Sequence, residues 1–204
     1  MKHLKIFSIL FCCMAAMAFT SCLNYDNDKG LSQEQKHQAF LQMNGNYTTR
    51  AIYYSRLDGM TSVPGNKIDT LSAGMMLRND SVIEFSMPTK ALVSLMKDTL
   101  LARAIVAQMP QVNVRAYMGI YSVNPAAFYI NLVPVECNSI SYGGRTSNIR
   151  IIFANNFASS YGVYNADKRT LGVNLIVAGI YRDGQYDGSG LVQAATVLVL
   201  GKRN

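Results

Sequence analysis

The 204-residue chain contains no tryptophan and only two histidines, His3 and His37. A serine or cysteine nucleophile usually depends on a histidine base, and a zinc site needs several nitrogen and sulfur ligands. This inventory nearly excludes both kinds of site. We therefore expect no bound metal and no cofactor.

Cysteine is also scarce. Cys12, Cys13 and Cys22 lie near the N-terminus, and Cys137 is the only cysteine in the rest of the chain. The first two fall in a segment that we interpret below as a removable leader, so we expect no intramolecular disulfide. The remaining chain of about 180 residues can bury a core without such crosslinks, and one domain is the natural count.

Acidic residues are fewer than basic ones, twelve against nineteen. Residues 1–21 hold two of the basic residues and none of the acidic ones, which leaves the rest of the chain at about +5. The basic residues are scattered, and Lys168–Arg169 and Lys202–Arg203 are the only adjacent pairs. Because no stripe of basic side chains suited to phosphates is visible, nucleic acid is not expected as a partner.

The N-terminus has the layout of an export signal. A short basic start is followed by the uncharged apolar run Ile6–Phe19, which is typical in length for a signal sequence and short for a bilayer span. The run ends in Phe19-Thr20-Ser21-Cys22, which resembles the lipobox of bacterial lipoproteins. The resemblance implies a signal peptide over residues 1–21 and lipidation of Cys22. Ordinary cleavage near Ala16-Met17-Ala18 is the alternative.

Residues 22–31 are interpreted as a flexible tether. Leu23–Asp28 is polar and acidic and is similar to the export signal of Bacteroidota-type surface lipoproteins, whose overall layout this chain also resembles. The resemblance implies a protein held in the outer membrane by its acyl chains, exposed at the cell surface or otherwise facing the periplasm. A solvated linker without any address is the alternative.

Residues 32–204 are predicted to form a single β-rich domain. Ser32 and Gln35 form a capping box for a helix that ends at Met43, and a second helical segment between Pro88 and Pro110 is divided at Asp98. Apolar patterns predict strands at 46–55, 68–77, 81–87, 112–121, 128–135, 149–154, 157–165, 171–181 and 190–200.

We therefore expect a mainly β (α+β) fold: an antiparallel barrel or sandwich of about eight strands with an N-terminal helix and a mid-chain helical segment. A helix, Gly45-x-Tyr47 and then a strand is similar to the start of a lipocalin-type barrel, in which tryptophan usually occupies the position of Tyr47.

Carboxylates offer another chemistry. Glu84, Glu136, Asp183 and Asp187 lie on strands or in a turn, but a hydrolase would need two of them to face each other in a cleft. Residues 183–190 also carry oxygen ligands at a spacing that suggests calcium. The closing glutamate of the usual calcium loop is missing, so a glycine-rich hairpin is the better interpretation.

Tyrosine is the residue type with the clearest functional indication. Twelve tyrosines outnumber eight phenylalanines, and a ring with a hydroxyl suits sugar faces and protein partners, although tyrosine is also an ordinary strand former. The candidate ligand-binding residues are Tyr142 and Arg145, in the polar connection Asn138–Arg145. Alternatively, Tyr142 folds back and caps the open end of the sheet.

Three functions remain open. We expect a non-catalytic surface module that binds a glycan, a peptide or an apolar small ligand, rather than an enzyme. A structural or assembly lipoprotein of the outer membrane is the alternative, and a carboxylate-type hydrolase is the third. A tyrosine-lined groove opposite the tether would favour the binding module, whereas a bare edge strand would favour assembly.

Overall fold

The computed structural model describes residues 30–55, 67–156 and 159–204. The predicted leader, Cys22 and the tether up to residue 29 lie outside these ranges. The described residues form three helices and eleven strands: α1 (Gln33–Met43), β1 (Tyr47–Ser55), β2 (Lys67–Asn79), β3 (Val82–Pro88), α2 (Lys90–Val93), α3 (Thr99–Gln108), β4 (Gln111–Val123), β5 (Ala126–Leu132), β6 (Val135–Tyr142), β7 (Arg145–Phe153), β8 (Tyr161–Asn165), β9 (Thr170–Arg182), β10 (Gln185–Asp187) and β11 (Ala195–Arg203).

Eight of these strands close into an antiparallel barrel. Paired neighbours follow the order β1, β2, β3, β4, β5, β8, β9, β11, and β11 pairs with β1 to complete the ring. Closure joins the strands that would otherwise be edges of an open sheet. The mainly β prediction is confirmed, and the fold is the barrel rather than the sandwich.

The barrel is filled by the apolar half of an alternating pattern. On β4, every second side chain from Val112 to Ile120 is buried, while the polar side chains between them face solvent. Aromatic side chains from three other strands complete the centre, and Tyr53, Phe85 and Phe128 are each at most 1% exposed. Burying a side chain of this size stabilises the fold by about 2 kcal/mol.

Helix α1 covers the end of the barrel at which β1 begins, here called the tether end. Its capping box is as predicted: the Gln35 amide N–H donates to Ser32 Oγ over 3.2 Å, and the Ser32 N–H donates to Gln35 Oε1 over 2.8 Å. Ala39 and Met43 are fully buried, and the Tyr47 hydroxyl donates to the Met43 carbonyl. The helix therefore belongs to the core.

Helices α2 and α3 cover the opposite end, here called the far end, where they connect β3 to β4. The Leu101 N–H donates to Asp98 Oδ1 over 3.0 Å, so Asp98 caps α3 and divides the helical segment as predicted. Five large apolar side chains of this segment are at most 1% exposed: Leu92, Leu95, Met96, Leu101 and Ile105. No helix in the described ranges is long and apolar enough to cross a membrane.

An ion pair holds α2 against the barrel. Lys90 Nζ lies 3.2 Å from Asp69 Oδ2, and the Tyr53 hydroxyl donates to the same oxygen over 3.0 Å. Burial alone would raise the pKa of Asp69, but the hydrogen bonds from Tyr53, the Thr70 amide and Lys90 outweigh it and lower that pKa below its ordinary value.

Strand β9 continues past the barrel. Its first half pairs with β8, whereas Val177–Arg182 pairs with β7, which in turn pairs with β6. The short strand β10 pairs with the last residues of β9. The second half of β9 thus forms, with β6, β7 and β10, a four-stranded extension at the far end whose inner face packs against α3.

Two tight turns close the hairpins of the extension. Gly143 and Gly144 have φ of +54° and +76°, and Asp183 and Gly184 have φ of +51° and +80°. Positive φ at both central residues is what a two-residue type I′ turn requires, and glycine and aspartate tolerate it. The second turn lies in the glycine-rich hairpin predicted at 183–190.

The prediction that residues 138–145 form a polar loop is wrong. These residues complete β6, the turn at Gly143–Gly144 and the start of β7. A bulge between Cys137 and Ile140, at which Ser139 has φ of +56°, adds a residue and interrupts the alternation. The buried side chains of Cys137 and Ile140 are therefore three positions apart. A search for apolar residues at every second position does not detect such a strand.

Three predicted strand boundaries also need correction. The strand predicted at 128–135 ends at Leu132, and the one predicted at 157–165 begins at Tyr161, with residues 157–158 outside the described part. The last strand begins at Ala195 rather than Gly190. Residues before it run beside the helical segment instead, where the Val192 N–H donates to the Leu95 carbonyl over 2.9 Å.

Candidate functional site on the outer face of the extension

The strand register places four side chains in one row across the outer face of the extension. Glu136 on β6 lies opposite Arg150 on β7, Arg150 lies opposite Tyr181 on β9, and Tyr181 lies opposite Tyr186 on β10. Directly opposed residues on a sheet face have Cβ atoms about 4.5–5.5 Å apart and therefore interact. We call these four residues the outer-face row.

The aromatic half of the row is a pair of tyrosines. The ring centroids of Tyr181 and Tyr186 are 5.4 Å apart and the rings are inclined by 57°. Tyr186 is 57% exposed, and its ring lies over Gly179, where an added Cβ would be only 2.8 Å from Cε2 of the tyrosine. Glycine at 179 therefore lets the exposed ring lie against the sheet.

The charged half is a solvent-facing ion pair. Arg150 Nε lies 2.5 Å from Glu136 Oε1, and the two side chains are 54% and 45% exposed. A pair this exposed stabilises a fold by at most about 1 kcal/mol. Its donors and acceptors can therefore be redirected to a ligand at small cost.

A depression of about 160 Å³ lies beside these residues, lined by Glu136, Asn148, Ile149, Arg150, Tyr181 and Gly184. It is smaller than the roughly 300–1,000 Å³ of pockets that enclose a small molecule. A ligand here would be only partly buried. It would meet an aromatic ring, guanidinium and amide donors and a carboxylate acceptor within one shallow surface.

Tyr142 and Arg145, the candidates from the sequence, are brought together on the opposite, inner face. They face each other across the turn at Gly143–Gly144, with the Arg145 guanidinium 4.6 Å from the centre of the Tyr142 ring. Tyr142 ends β6 and is 9% exposed, so its ring is covered rather than presented on a loop. Burial of the ring agrees with the capping alternative, but Tyr142 lies on a strand and does not fold back from a loop.

Arg182 connects these residues to the rest of the far end. Its Nη1 donates to the Tyr142 hydroxyl over 3.2 Å, and its Nη2 lies 3.4 Å from Asp98 Oδ2 and 3.3 Å from Asp187 Oδ2. Arg145 Nη2 lies 3.8 Å from the same oxygen of Asp98. We call these five residues the Arg182 cluster.

The Arg182 cluster lies directly behind the outer-face row. Arg182 follows Tyr181 in β9, and Asp187 follows Tyr186 in β10, so their side chains point to the other side of the same strands. The pairing of Arg182 with Asp98 was not predicted, because 84 positions separate the two residues. The position of Arg182 next to a tyrosine does not by itself indicate a cluster.

The acidic residues considered for hydrolysis are each engaged. Glu84 lies 2.6 Å from Arg78 Nε on the barrel wall, and the Asn148 N–H donates to Asp183 Oδ1 over 2.8 Å. Glu136 and Asp187 are held by Arg150 and Arg182 as described above.

The prediction of a glycine-rich hairpin at 183–190 is confirmed by the β9–β10 turn. Asp187, which calcium binding would need, accepts instead from Arg182 and from the Ser189 hydroxyl. Within residues 30–55, 67–156 and 159–204, no group of three or more His, Cys, Asp or Glu is arranged to hold a metal ion.

Cys137 lies beneath the same sheet and is free and buried. Burial, and to a smaller extent the nearby Glu136 carboxylate, raises the pKa of its thiol to about 11. The side chain therefore remains a neutral thiol at physiological pH and is a poor nucleophile.

Comparison with known proteins places the chain in a family. Among curated proteins, no sequence matches it. One family model matches residues 42–182, which run from the end of α1 to the last residue of β9 and include β6 and β7 of the extension. The match covers more than half of the chain, and the protein belongs to the family described as Domain of unknown function (DUF4840).

Proposed function

We propose that this protein is a non-catalytic binding module of the cell envelope and that the outer-face row is its ligand site for a glycan. The observation that carries the proposal is the row itself: two tyrosines and an exposed ion pair, side by side around a depression of about 160 Å³. The row lies at the far end, whereas α1 and residues 30–31 before it lie at the other end of the barrel.

The chemistry of the row suits a sugar. A pyranose ring presents C–H groups that pack on a tyrosine ring, and its hydroxyls both donate and accept hydrogen bonds. Arg150 and Asn148 supply donors, and Glu136 supplies an acceptor. A shallow depression accommodates one unit of a longer chain, whereas an apolar small ligand would need a deeper pocket.

One contact supports binding over assembly by strand exchange. At Ser141 the edge of β6 is covered by Gln108 of α3, whose Nε2 donates to the Ser141 carbonyl over 2.9 Å and whose Oε1 accepts from the Ser141 N–H over 3.1 Å. The side-chain amide thus occupies the place of a neighbouring strand. An edge covered in this way is a poor template for another chain.

We also propose that Cys22 is lipidated and anchors the protein in the outer membrane, facing the cell surface or otherwise the periplasm. The lipobox-like sequence and the acidic tether of the Bacteroidota type support this proposal. Replacing Cys22→Ala should move the protein from the membrane fraction to the soluble one or leave it unprocessed. Wild-type protein found in the soluble periplasm, cut before Cys22, would contradict the anchor.

The ligand site is tested with the chain from Leu23 to Asn204 on a glycan array and a panel of bacterial and plant polysaccharides. Tyr181→Ala and Tyr186→Ala should each weaken binding by about 1 kcal/mol or more, because each removes one ring of the pair. Since the protein lacks tryptophan, its intrinsic fluorescence comes from tyrosine and reports binding directly.

The matched control is Tyr117→Ala. Tyr117 is 52% exposed on β4 of the barrel wall. This variant should bind as the wild type does. Equal losses at Tyr117 and Tyr181, or no binding to any member of the panel, would count against the site.

A further inference from the structure

The two adjacent basic pairs of the sequence, which are 34 positions apart, come together in the fold. Lys168–Arg169 lies in the turn between β8 and β9, and Lys202–Arg203 ends β11. Because β9 and β11 are paired, Lys202 is opposite Thr170, and the Arg203 N–H donates to the Arg169 carbonyl over 2.8 Å. Both pairs lie at the tether end.

Arg50 on the neighbouring strand extends this group. It lies on β1 two positions from Thr48, the register partner of Lys202, so both basic side chains are on the outer surface of the barrel. Arg50, Lys168, Arg169 and Lys202 are exposed, and Arg203 is half-buried. We call these five residues the basic face.

The basic face is little neutralised. Within the part of the chain that the structure describes, none of its five side chains has a side-chain carboxylate within 4 Å; the ion pairs recorded there involve Arg78, Lys90, Arg145, Arg150 and Arg182. The neighbouring acidic residue in the sequence is Asp167. Arg169 donates to the Asn204 carbonyl over 2.8 Å, and Arg203 donates to the Gln42 carbonyl over 3.0 Å. The five basic side chains therefore carry a net positive charge on this face.

The chain enters the described part at the same end of the barrel as this face. Leu31 packs against the core just before α1, and Arg203 contacts the last turn of that helix, which lies about 16 Å along the helix from its start. From Cys22 to Gly30 the chain spans eight residues, which reach at most about 28 Å when extended. A membrane anchor at Cys22 would therefore hold Gly30 within about 28 Å of the lipid headgroups.

We propose that the basic face docks on the phosphate-bearing headgroups of an anionic lipid surface and so orients the barrel with its extension away from the membrane. This inference rests on the proposed lipid anchor for its biological setting. Each lysine or arginine near an anionic surface strengthens binding by about 1 kcal/mol, and the attraction decays within a Debye length of about 8 Å at physiological salt. The tether is long enough for the face to come within this range of the headgroups.

Vesicle co-sedimentation tests the proposal without the anchor. The chain from Leu23 to Asn204, which retains every described element and carries no acyl group, should sediment with phosphatidylcholine vesicles that contain phosphatidylglycerol and remain in solution with phosphatidylcholine alone. The double variant Lys168→Gln/Lys202→Gln should reduce the partition coefficient about 25-fold, or about fivefold for each lysine. Added salt should weaken binding of the wild type more than that of the variant.

The matched control is Lys97→Gln/Arg103→Gln, which removes two exposed charges at the far end. It should leave the partition coefficient within about twofold of the wild type, because these charges lie more than a Debye length from the docked surface. Equal losses in the two double variants would show that only net charge matters and would overturn the proposal. An absence of binding to anionic vesicles would also overturn the proposal. So would vesicle binding that does not depend on phosphatidylglycerol and that a soluble anionic polysaccharide abolishes.

The vesicle result and the fractionation of Cys22→Ala are separable. Selective vesicle binding with a soluble wild-type protein in cells would retain the basic face and reject the anchor. A membrane-bound wild type whose basic face fails to bind vesicles would do the reverse.

Discussion

Tyr142 is the residue at which an aromatic ring, a cation and an ion-pair cluster meet. One side of its ring is covered by the Arg145 guanidinium, and its hydroxyl accepts from Arg182. The ring belongs to the same apolar cluster as Ile140 and Ile149. Its position therefore contributes to folding, through burial and through a hydrogen bond to a charged donor.

Replacing Tyr142→Ala should lower the free energy of unfolding by about 3 kcal/mol, because it removes a buried ring and leaves a cavity. Tyr142→Phe should cost only about 1 kcal/mol, since it removes the hydrogen bond alone. Urea unfolding followed by circular dichroism measures both values. The exposed Tyr117→Ala should change stability by less than about 0.5 kcal/mol. An unchanged stability of Tyr142→Ala together with lost glycan binding would instead support the ligand role inferred from the sequence.

At the scale of residues, hydrogen bonds between positions close in the sequence were predictable, and those between distant positions were not. Ser32 and Gln35 are three positions apart, as are Asp98 and Leu101, and a cap is a short-range hydrogen bond that the sequence displays directly. Arg182 meets Tyr142 across 40 positions. Its partners depend on the path of β9 beyond the barrel, which no local pattern determines.

At the scale of elements, strand β6 depends on a helix for part of its hydrogen bonding. It pairs with β7 along one edge, and on the other edge Gln108 from α3 satisfies Ser141 with both atoms of its amide. The same helix buries Leu101 and Ile105 in the core. A helix thus completes the hydrogen bonding of a strand.

Replacing Gln108→Ala should expose the N–H and C=O of Ser141 to pairing with a second chain. We expect a loss of about 1 kcal/mol in stability and a concentration-dependent dimer in size-exclusion chromatography with light scattering. The control variant Gln38→Ala removes a glutamine whose bond to Glu34 lies on the exposed side of α1, and it should stay monomeric. A monomeric Gln108→Ala at high concentration would show that the bulge at Ser139 alone protects this edge.

Element boundaries were predictable where burial is one-sided. Strand β4 alternates over its whole length and was predicted within two residues, because one face is core and the other is solvent. β6 was missed because its bulge shifts the buried side chains from Cys137 to Ile140. The site of the bulge is set by pairing with β7, which is a tertiary property.

For the whole molecule, the choice between barrel and sandwich was not predictable. Both architectures use the same alternation along each strand, and they differ only in which strands pair. Closure here depends on β11, which pairs with β1 at one edge and with β9 at the other. The first of these pairings joins residues from opposite ends of the domain.

Tyr47, which lies opposite Arg203 where β1 and β11 close the barrel, makes the free energy of unfolding sensitive to alkaline pH. Burial, together with nearby Tyr164 and against the opposing effect of Arg203, raises the pKa of Tyr47 from 10.0 to about 12. Because the folded state favours the neutral phenol, this stabilisation is complete below pH 10 and is lost as pH rises from 10 to about 12. Tyr47→Phe should show a flatter decline of unfolding free energy across that interval than the wild type. The exposed Tyr117→Phe serves as control and should follow the wild type; a Tyr47→Phe profile parallel to both would contradict the assignment.

Strand β9 also determines how the molecule responds to mechanical force. A pull on Tyr181 against the tether is transmitted along β9 to β11, to which it is paired at eight positions, and from there to β1 through seven more. The hydrogen bonds of antiparallel strands run perpendicular to the strands, so a pull along them loads many bonds at once in shear. The extension should therefore not peel away from the barrel under tension; rupture would require the barrel itself to open.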